Sequence, residues 1–388
     1  MSLTTETPTT PDQENGPDSG LPDLLYGEVE DDLRASVRAL VTARSPWTAV
    51  LARTEADERV DVDLWRRLTG EIGVAGLAVP EERGGAGAGW REVAVVAEEL
   101  GRAVAAVPFL GSAVTAAALL EQLDDDGLLA ALAEGEETVA LAVPFGTAPG
   151  APLRPTCRRS GQLVSGSVRS VADARSATVL LVPTDDGALV RVAADFPAVT
   201  VRPVVSLDET RPLVDVELAG AEGQVLATDA AAAVDHGLTV AAAVLASEQL
   251  GVAEWCLQAT VAYLRERRQF GRTLASYQAL RHRCADLWVQ VAQARAVARY
   301  AAACAAEESP DLAVAASLAQ ALCSEVAVRA AEECLQLHGG IGFTWEHPTH
   351  LYLKRATSTA LALGSAHHHR SRLARLIDLP APAPEETP

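Results

Sequence analysis

Apolar positions change their spacing twice along the chain. They recur at helical spacing from about Leu24 to Leu132, and again from Asp229 to Ile377. Between these two blocks, short apolar runs are separated by Pro, Gly and Asp, which is typical of strands. The pattern therefore predicts an α+β protein with an N-terminal helical domain, a middle β domain and a C-terminal four-helix bundle.

The domain boundaries follow changes in composition. We predict a disordered tail over 1–21, because this segment is polar, acidic and rich in Pro and Thr. The remaining boundaries are 22–135 for the N-terminal helical domain, 136–228 for the middle β domain, 229–378 for the four-helix bundle and 379–388 for a Pro-rich tail. The bundle helices are predicted at about 233–268, 276–306, 311–338 and 348–375. The strands are predicted at Val139–Val143, Gln162–Val168, Thr178–Val182, Ala188–Val192, Val199–Val205 and Leu213–Leu218, in a mostly antiparallel arrangement.

Charge and composition exclude several classes of protein. The formal net charge of -20 argues against a nucleic-acid or anionic-membrane surface, because phosphates would be repelled. No uninterrupted apolar run is long enough to cross a bilayer and no signal pattern begins the chain, so we expect a cytoplasmic protein. The cysteines form no C-x-x-C pair, and no metal site is predicted. Lys354 is the only lysine, so an anionic ligand would be met by arginines, backbone N–H groups or helix N-termini.

An arginine-rich segment follows the first predicted bundle helix. It reads R-R-Q-F-G-R from Arg267 to Arg272, and Gln278 follows shortly after it. Guanidinium groups suit phosphate oxygens, and Gly271 ends the helix so that a turn can approach a ligand closely. The alternative is an ordinary helix C-terminus, where the helix dipole favours arginines.

A glycine-rich segment follows the third predicted bundle helix and reads Q-L-H-G-G-I-G-F from Gln336 to Phe343. Glycines lack a Cβ atom, so the backbone here can close on a diphosphate. Two glycines at a helix end are common for structural reasons alone. The longer pattern, with its preceding glutamine, is much rarer and points to a ligand.

Together, the two segments resemble the R-x-x-F-G and Q-x-x-G-G-x-G-F elements of the acyl-CoA dehydrogenase family, whose domain order is also similar. The resemblance covers about residues 24 to 377 and is weakest in the β domain. It implies an acyl-CoA dehydrogenase-like fold that holds FAD at a helical subunit interface. Carried over residue by residue, the implied FAD-binding residues are Arg267, Phe270, Gln278, Gln336, Leu337, Gly339 and Gly340.

The resemblance also implies a reaction and partners. Members of the family oxidise the Cα–Cβ bond of an acyl thioester, as a carboxylate removes the α-proton and the flavin accepts hydride. The implied substrate is an acyl-CoA or an acyl-carrier thioester. The implied assembly is a homo-oligomer, or a hetero-oligomer with a homologous dehydrogenase subunit, and electron-transfer flavoprotein is the candidate electron acceptor.

The family's carboxylate base is missing from both of its usual positions. Counting from Gly339 by the family spacing reaches Leu363, and the corresponding position on the first bundle helix is Ala241. Neither side chain can take a proton. Glu248 lies about two turns after Ala241 on the same helix face, so it is the candidate catalytic base if burial raises its pKa. The alternative, which we favour, is a structural carboxylate at the helix surface or an interface.

The β domain departs from the family pattern as well. A degraded segment over 143–150, together with Ser170 and Ala172, stands where the family places its flavin-ring contacts. These losses look similar to the diverged subunit of heteromeric members, which contributes the adenine and pyrophosphate side of the site. Three hypotheses follow: an FAD-dependent acyl-CoA dehydrogenase subunit, a non-catalytic partner subunit, and a flavin monooxygenase of the same fold. We expect membership of a dehydrogenase complex.

Overall fold

The computed structural model describes residues 24–123 and 126–380. The predicted disordered tail lies outside the described residues, as does all but the start of the predicted Pro-rich tail. The N-terminal part is helical, as the apolar spacing predicts, with π-helical turns at Leu68–Ile72 and Phe109–Ala116. Its helices are α1 (Glu28–Arg44), α2 (Trp47–Thr54), α3 (Val62–Arg67), α4 (Trp90–Arg102), α5 (Ala117–Glu121) and α6 (Asp126–Ala133).

The middle part contains two four-stranded sheets that pack their apolar faces together. The first has the order β1-β4-β5-β8 and the second the order β2-β3-β7-β6. Only the β1–β4 pair is parallel among these strands, so the predicted antiparallel character is confirmed. The strands are β1 (Val139–Leu141), β2 (Cys157–Ser160), β3 (Leu163–Ala172), β4 (Val179–Pro183), β5 (Leu189–Ala193), β6 (Val199–Pro203), β7 (Leu213–Glu222) and β8 (Gln224–Ala227).

Strands β2 and β8 were not predicted. Both are short edge strands with few buried side chains, so the apolar alternation that marks a strand is weak in them. Backbone hydrogen bonds define them: β2 forms a hairpin with the following strand β3, and β8 pairs with the more distant β5.

The C-terminal part is a helical bundle. Its helices are α7 (Ala231–Glu266), α8 (Gln278–Ala306), α9 (Leu312–His338), α10 (Thr349–Thr359) and α11 (Ala366–Leu376), and the short strands β9 (Arg268–Gln269) and β10 (Arg272–Thr273) form a hairpin between α7 and α8. The first three agree with the predicted helices to within a few residues. By composition alone, the segments Ala231–Glu266 and Leu312–Phe343 could each span a membrane, but most of the apolar window in each is buried in the bundle.

The predicted fourth bundle helix, 348–375, is wrong. It is broken between α10 and α11, where Leu363 and Gly364 both have positive φ angles, 51° and 99°. The Leu363 N–H donates to the carbonyl of Phe145 at 2.9 Å, so a contact with the β part replaces a helical hydrogen bond. Ser365 then starts α11, because its side chain accepts from the His368 N–H.

Helices α4 and α7 cross at very close range. A Cβ at Gly251 would clash with the carbonyl oxygen of Glu98, and a Cβ at Gly101 would clash with that of Glu248. Glycine on each helix therefore lets the two backbones touch. This contact joins the N-terminal helices to the bundle and leaves no space between the helices at the crossing.

Candidate functional site

A cleft of about 510 Å³ lies at one end of the bundle, between the end of α7, the start of α8 and the end of α9. It brings together most of the residues that the family resemblance singles out. Gln269, Leu274, Leu280 and Ile341 complete its walls, together with three residues that the sequence did not single out. The predicted residues in the cleft are Arg267, Gln336, Leu337, Gly339 and Gly340, and the additional ones include Tyr263, Arg283 and His338.

Two of the predicted residues stand at the same end of the bundle without lining the cleft. Phe270, at the tip of the β9–β10 hairpin, is 90% exposed, and its φ of 51° is the left-handed conformation of the tight turn. Gln278 is the first residue of α8 and is exposed.

Arg267 terminates α7 and leaves its guanidinium free. Its backbone is extended, and its N–H donates to the carbonyl of Tyr263 at 2.9 Å. The side chain is exposed and forms no hydrogen bond or ion pair with any residue in 24–123 or 126–380. A planar guanidinium without a counter-ion at the mouth of a cleft suits an oxyanion ligand.

The opposite wall is bare backbone. Gly339 has φ 61° and ψ −138°, a conformation that side-chain-bearing residues rarely adopt, so α9 can end abruptly. A Cβ placed on Gly339 or Gly340 would meet no heavy atom within 4 Å. The glycines therefore leave room for a ligand against the main chain, and they face the guanidinium across the same cleft.

The cleft is electropositive. Glu333, buried on α9, accepts from Arg283 at 2.6 Å and from Arg329 at 2.9 Å, so it is over-neutralised. Arg267 and Arg283 both line the cleft and no carboxylate of the described residues lines it, so the lining carries positive charge. The residues fit the diphosphate of a dinucleotide: a free forked donor, an exposed amide at Gln336 and open glycine backbone.

The turn that carries Leu363 packs against the loop after β1, and the 143–150 segment also lines a separate pocket of about 530 Å³ together with Ser167 and Arg169 of β3. Pro144, Phe145, Ala172 and Leu363 all line a cavity of only about 40 Å³, which has room for no more than a few water molecules. Phe145 donates its N–H to the Ser170 carbonyl at 2.9 Å and accepts from Leu363 at the same distance. These bonds hold the loop after β1 against the turn between α10 and α11.

Leu363 is buried and fixed from the other side as well. His369, on α11, lies with Nε2 2.9 Å from the Leu363 carbonyl, and burial lowers the pKa of His369 to about 4, so the ring is neutral and Nε2–H donates. Ala241, the other usual base position, is fully buried on α7. Neither position presents a group that can accept a proton.

Glu248 lies in a buried ion-pair network, not at a substrate cavity. Arg211 binds its carboxylate with both terminal nitrogens, at 3.0 and 2.6 Å, and Arg355 adds a third bond at 2.9 Å. The side chain is almost fully buried. Burial acts to raise the pKa of Glu248, but Arg211 and Arg355 outweigh it and lower the pKa to about 2.

The expectation that burial would raise the pKa of Glu248 is thus corrected, because two guanidiniums hold the carboxylate in its charged form. The same network contains residues that the sequence analysis missed. Arg355 is 1% exposed and also binds Asp208 through Nε at 2.8 Å, Thr210 through Nη2 at 2.7 Å and the Ala105 carbonyl at 3.1 Å. The sequence signal that could have identified Arg355 is the presence of an arginine among the apolar residues of α10.

Comparison with known proteins agrees with the fold. Sequence models of the acyl-CoA dehydrogenase N-terminal and C-terminal domains match residues 27–127 and 231–377. The chain is 39% identical over 342 residues to the acyl-CoA dehydrogenase IpdE2 of Mycobacterium tuberculosis, covering 88% of this chain and 95% of that protein.

Two solved structures are also similar. The ChsE4–ChsE5 complex from Mycobacterium tuberculosis superposes with a TM-score of 0.82 at 29% identity, covering 93% of this chain and 100% of that chain. A variant of the Tcur3481–Tcur3483 steroid ACAD superposes with a TM-score of 0.79 at 30% identity, covering 91% of this chain and 98% of that chain. The cleft, the domain order and these similarities lead to one conclusion: the chain belongs to the acyl-CoA dehydrogenase family, whose members are FAD-dependent oxidoreductases that act on CH–CH bonds.

Proposed function

We propose that the chain is the non-catalytic subunit of a heteromeric acyl-CoA dehydrogenase. Its bundle supplies the adenine and pyrophosphate side of the FAD site, and a homologous subunit supplies the base and the flavin-ring contacts. The proposal rests on the difference between the two ends of the proposed FAD site. The cleft around Arg267 and Gly339 offers a free guanidinium and open backbone, whereas the turn at Leu363 is bonded to Phe145 and neither Leu363 nor Ala241 can accept a proton.

The chemistry of each residue follows from its position. Bound FAD supplies the hydride acceptor. Arg267 binds the diphosphate through its forked N–H groups, and Gly339 and Gly340 let the phosphates approach the main chain. The exposed Gln336 amide orients the ligand by hydrogen bonding. Since Leu363 and Ala241 hold no proton acceptor, the carboxylate that removes the α-proton belongs to the partner subunit.

Exposed apolar side chains support an interface at this end of the bundle. Several large apolar residues of the cleft rim and of the adjoining helix α8 are exposed, which is unusual for so many neighbours along one part of a chain. Aromatic residues are favoured at the centre of protein interfaces. The residues concerned are Phe270 (90% exposed), Trp288 (61%), Phe343 (74%) and Trp345 (61%). The similar ChsE4–ChsE5 complex and the Tcur3481–Tcur3483 steroid ACAD are each named for two chains, which supports a heteromeric partner.

The substrate that we propose for the complex is an acyl thioester of coenzyme A. One similar structure is described as a steroid ACAD, so a CoA thioester of a steroid side chain belongs in the substrate panel beside straight-chain acyl-CoAs.

The test uses the chain, its co-expressed homologous subunit and their mixture. We expect the chain alone to be colourless and unable to reduce a dye when any acyl-CoA is the electron donor. The mixture should bind FAD and oxidise an acyl-CoA. Arg267→Ala should weaken FAD binding by the mixture about tenfold to one hundredfold, because one charge-assisted forked contact is lost. Arg66→Ala, in an exposed ion pair on α3, is the matched control and should change nothing.

Two outcomes contradict the proposal. A purified chain that is yellow and reduces a dye by itself would be a complete enzyme. If the mixture that contains Arg267→Ala binds FAD as tightly as the wild-type mixture does, the cleft is not part of the FAD site.

A further inference from the structure

Behind the glycine wall of the cleft, an imidazole is held against a cysteine. His338 is the last residue of α9, lines the cleft and is 3% exposed. Its Nδ1 lies 2.7 Å from the carbonyl oxygen of Cys334 and 3.5 Å from the Sγ of the same residue, one helical turn earlier. Nε2 has no hydrogen-bond partner among the residues that the structure describes.

Stacked rings fix the orientation of this imidazole. Tyr263 stacks on one side with ring centroids 4.5 Å apart, and His347 lies 4.2 Å away on another. The ring cannot turn without displacing a neighbour, so Nδ1 stays on the Cys334 side. The carbonyl oxygen accepts only from a protonated nitrogen, and therefore Nδ1 carries a hydrogen in this arrangement. The charge of His338 then depends on whether Nε2 is also protonated.

The thiol beside it is well placed to ionise. Cys334 is fully buried, and its Sγ lies 3.8 Å from the Thr349 hydroxyl. A hydrogen bond with Cys256 on α7, together with His338, holds the pKa of the Cys334 thiol well below its usual range. Burial acts to lower the pKa of His338, but Cys334 outweighs it and raises that pKa. Thiolate and imidazolium stabilise each other wherever they pair.

We propose that Cys334 and His338 form a thiolate–imidazolium pair whose positive partner faces the cleft and binds the diphosphate. In this pair the proton lost by Sγ is gained by Nε2, so the total charge of the pair stays zero while the imidazolium forms part of the cleft wall. Nε2–H then donates to a phosphate oxygen in addition to the contacts of Arg267. The inference rests on the proposed function and adds a positioning pair to the same site.

Other groups face His338 from each neighbouring element. Tyr263 on α7 and His347, in the turn before α10, contact the ring, and Arg267, just after α7, and Arg283, on α8, line the same cleft. While the cleft is empty, the positive charges of Arg267 and Arg283 disfavour protonation of His338. A bound diphosphate is negative and favours that protonation. Burial lowers the pKa of His347, and so does His338, so His347 is the neutral ring of the stack. Binding of the anion and protonation of His338 therefore favour each other.

The experiment measures binding of ADP, which carries the relevant diphosphate, by titration calorimetry on the purified chain across about pH 6 to pH 8.5. Cys334→Ser removes the ionisable sulfur and keeps a hydrogen-bonding side chain, and His338→Gln removes the cation. Each should weaken ADP binding about threefold to tenfold at neutral pH, the value for one charge-assisted hydrogen bond. In Cys334→Ser, the affinity should begin to fall at lower pH than in the wild type. The double variant should be no weaker than His338→Gln.

The matched control is Cys323→Ser, on the same helix. Cys323 is also buried, but its Sγ contacts the Ala294 carbonyl at 3.4 Å, away from the cleft. A second readout is independent of the ligand. Thiolate absorbance in the ultraviolet should persist in the wild type and in Cys323→Ser to pH values well below the usual thiol pKa, and should be lost in Cys334→Ser.

Absence of that absorbance, or a Cys334→Ser variant that binds ADP as the wild type does across the whole pH range, overturns the inference. This failure differs from failure of the proposed function. If the wild type binds ADP and Arg267→Ala loses it while Cys334→Ser keeps it, the site stands and only the pair is wrong. If neither the wild type nor its complex binds the diphosphate, the proposed site itself is wrong.

Discussion

Glu248→Gln is the substitution that best separates a structural carboxylate from a catalytic one. In the native protein, three charge-assisted hydrogen bonds from Arg211 and Arg355 reach this carboxylate, all of them buried. Glutamine keeps one oxygen but directs an NH₂ group at a guanidinium. Two buried guanidiniums then share less negative charge, although Arg355 retains Asp208.

The magnitude can be estimated in two ways. The pKa of Glu248 falls from an ordinary 4.5 to about 2 in the folded protein, and this difference corresponds to about 3 kcal/mol of stability. Removal of one partner from a buried ion pair costs about 3 to 5 kcal/mol. Both estimates predict a large loss of free energy of unfolding at neutral pH.

The pH dependence has a definite sign. The folded-state pKa is depressed, so the contribution of Glu248 is fully present above pH 4.5 and is lost as pH falls toward 2. Wild-type stability should therefore decline through this window by about 3 kcal/mol more than that of the variant, which has no group to titrate there.

Urea unfolding followed by circular dichroism measures the difference. Glu325→Gln is the control: Glu325 pairs with Arg370 on the exposed surface, where both side chains are about half exposed, and should contribute less than about 1 kcal/mol. A Glu248→Gln protein within about 1 kcal/mol of the wild type would refute the network as a stabilising unit. A variant that remains folded in the complex with its partner, yet loses turnover, would restore Glu248 as a catalytic candidate.

The remaining predictions concern packing. Gly251→Ala should destabilise the protein by more than about 3 kcal/mol, because its Cβ would clash with the Glu98 carbonyl where α4 crosses α7. Gly70→Ala, where a Cβ meets nothing within 4 Å, should change the urea midpoint little. Leu363→Glu should not give the purified chain dye-reducing activity, because the adjacent cavity of about 40 Å³ admits no flavin, and the buried carboxyl should lower the melting temperature. Turnover by that variant alone would show that the cavity opens.

Part of the site could be predicted from local sequence, because the features concerned are themselves local. Arg267 ends a helix at a hairpin, and Gly339 ends another helix in a conformation that glycine tolerates. The cleft that joins them depends on the packing of α7, α8 and α9. No distance between the two segments can be read from local sequence, and no local pattern marks Arg283 or His338 as neighbours of the cleft.

The direction of the pKa shift of Glu248 could not be predicted from local sequence for the same reason. A carboxylate on α7 has a raised pKa if it is buried alone and a lowered one if guanidiniums meet it. The guanidiniums come from Arg211, before β7, and from Arg355, on α10, and both are distant in the chain. The spacing along α7 is the same in either case.

By itself, the sequence determined the order of helical, β and helical parts, the positions of the arginine-rich and glycine-rich segments and the absence of a carboxylate at Leu363 and Ala241. These follow from periodicity and residue identity, which act over a few neighbouring residues. Only the tertiary structure decided that α10 and α11 are separate helices, that the turn at Leu363 packs against Phe145, and that the arginine-rich and glycine-rich segments meet in one open cleft. Each of these depends on contacts between segments far apart in the chain, whose free energies no local pattern contains.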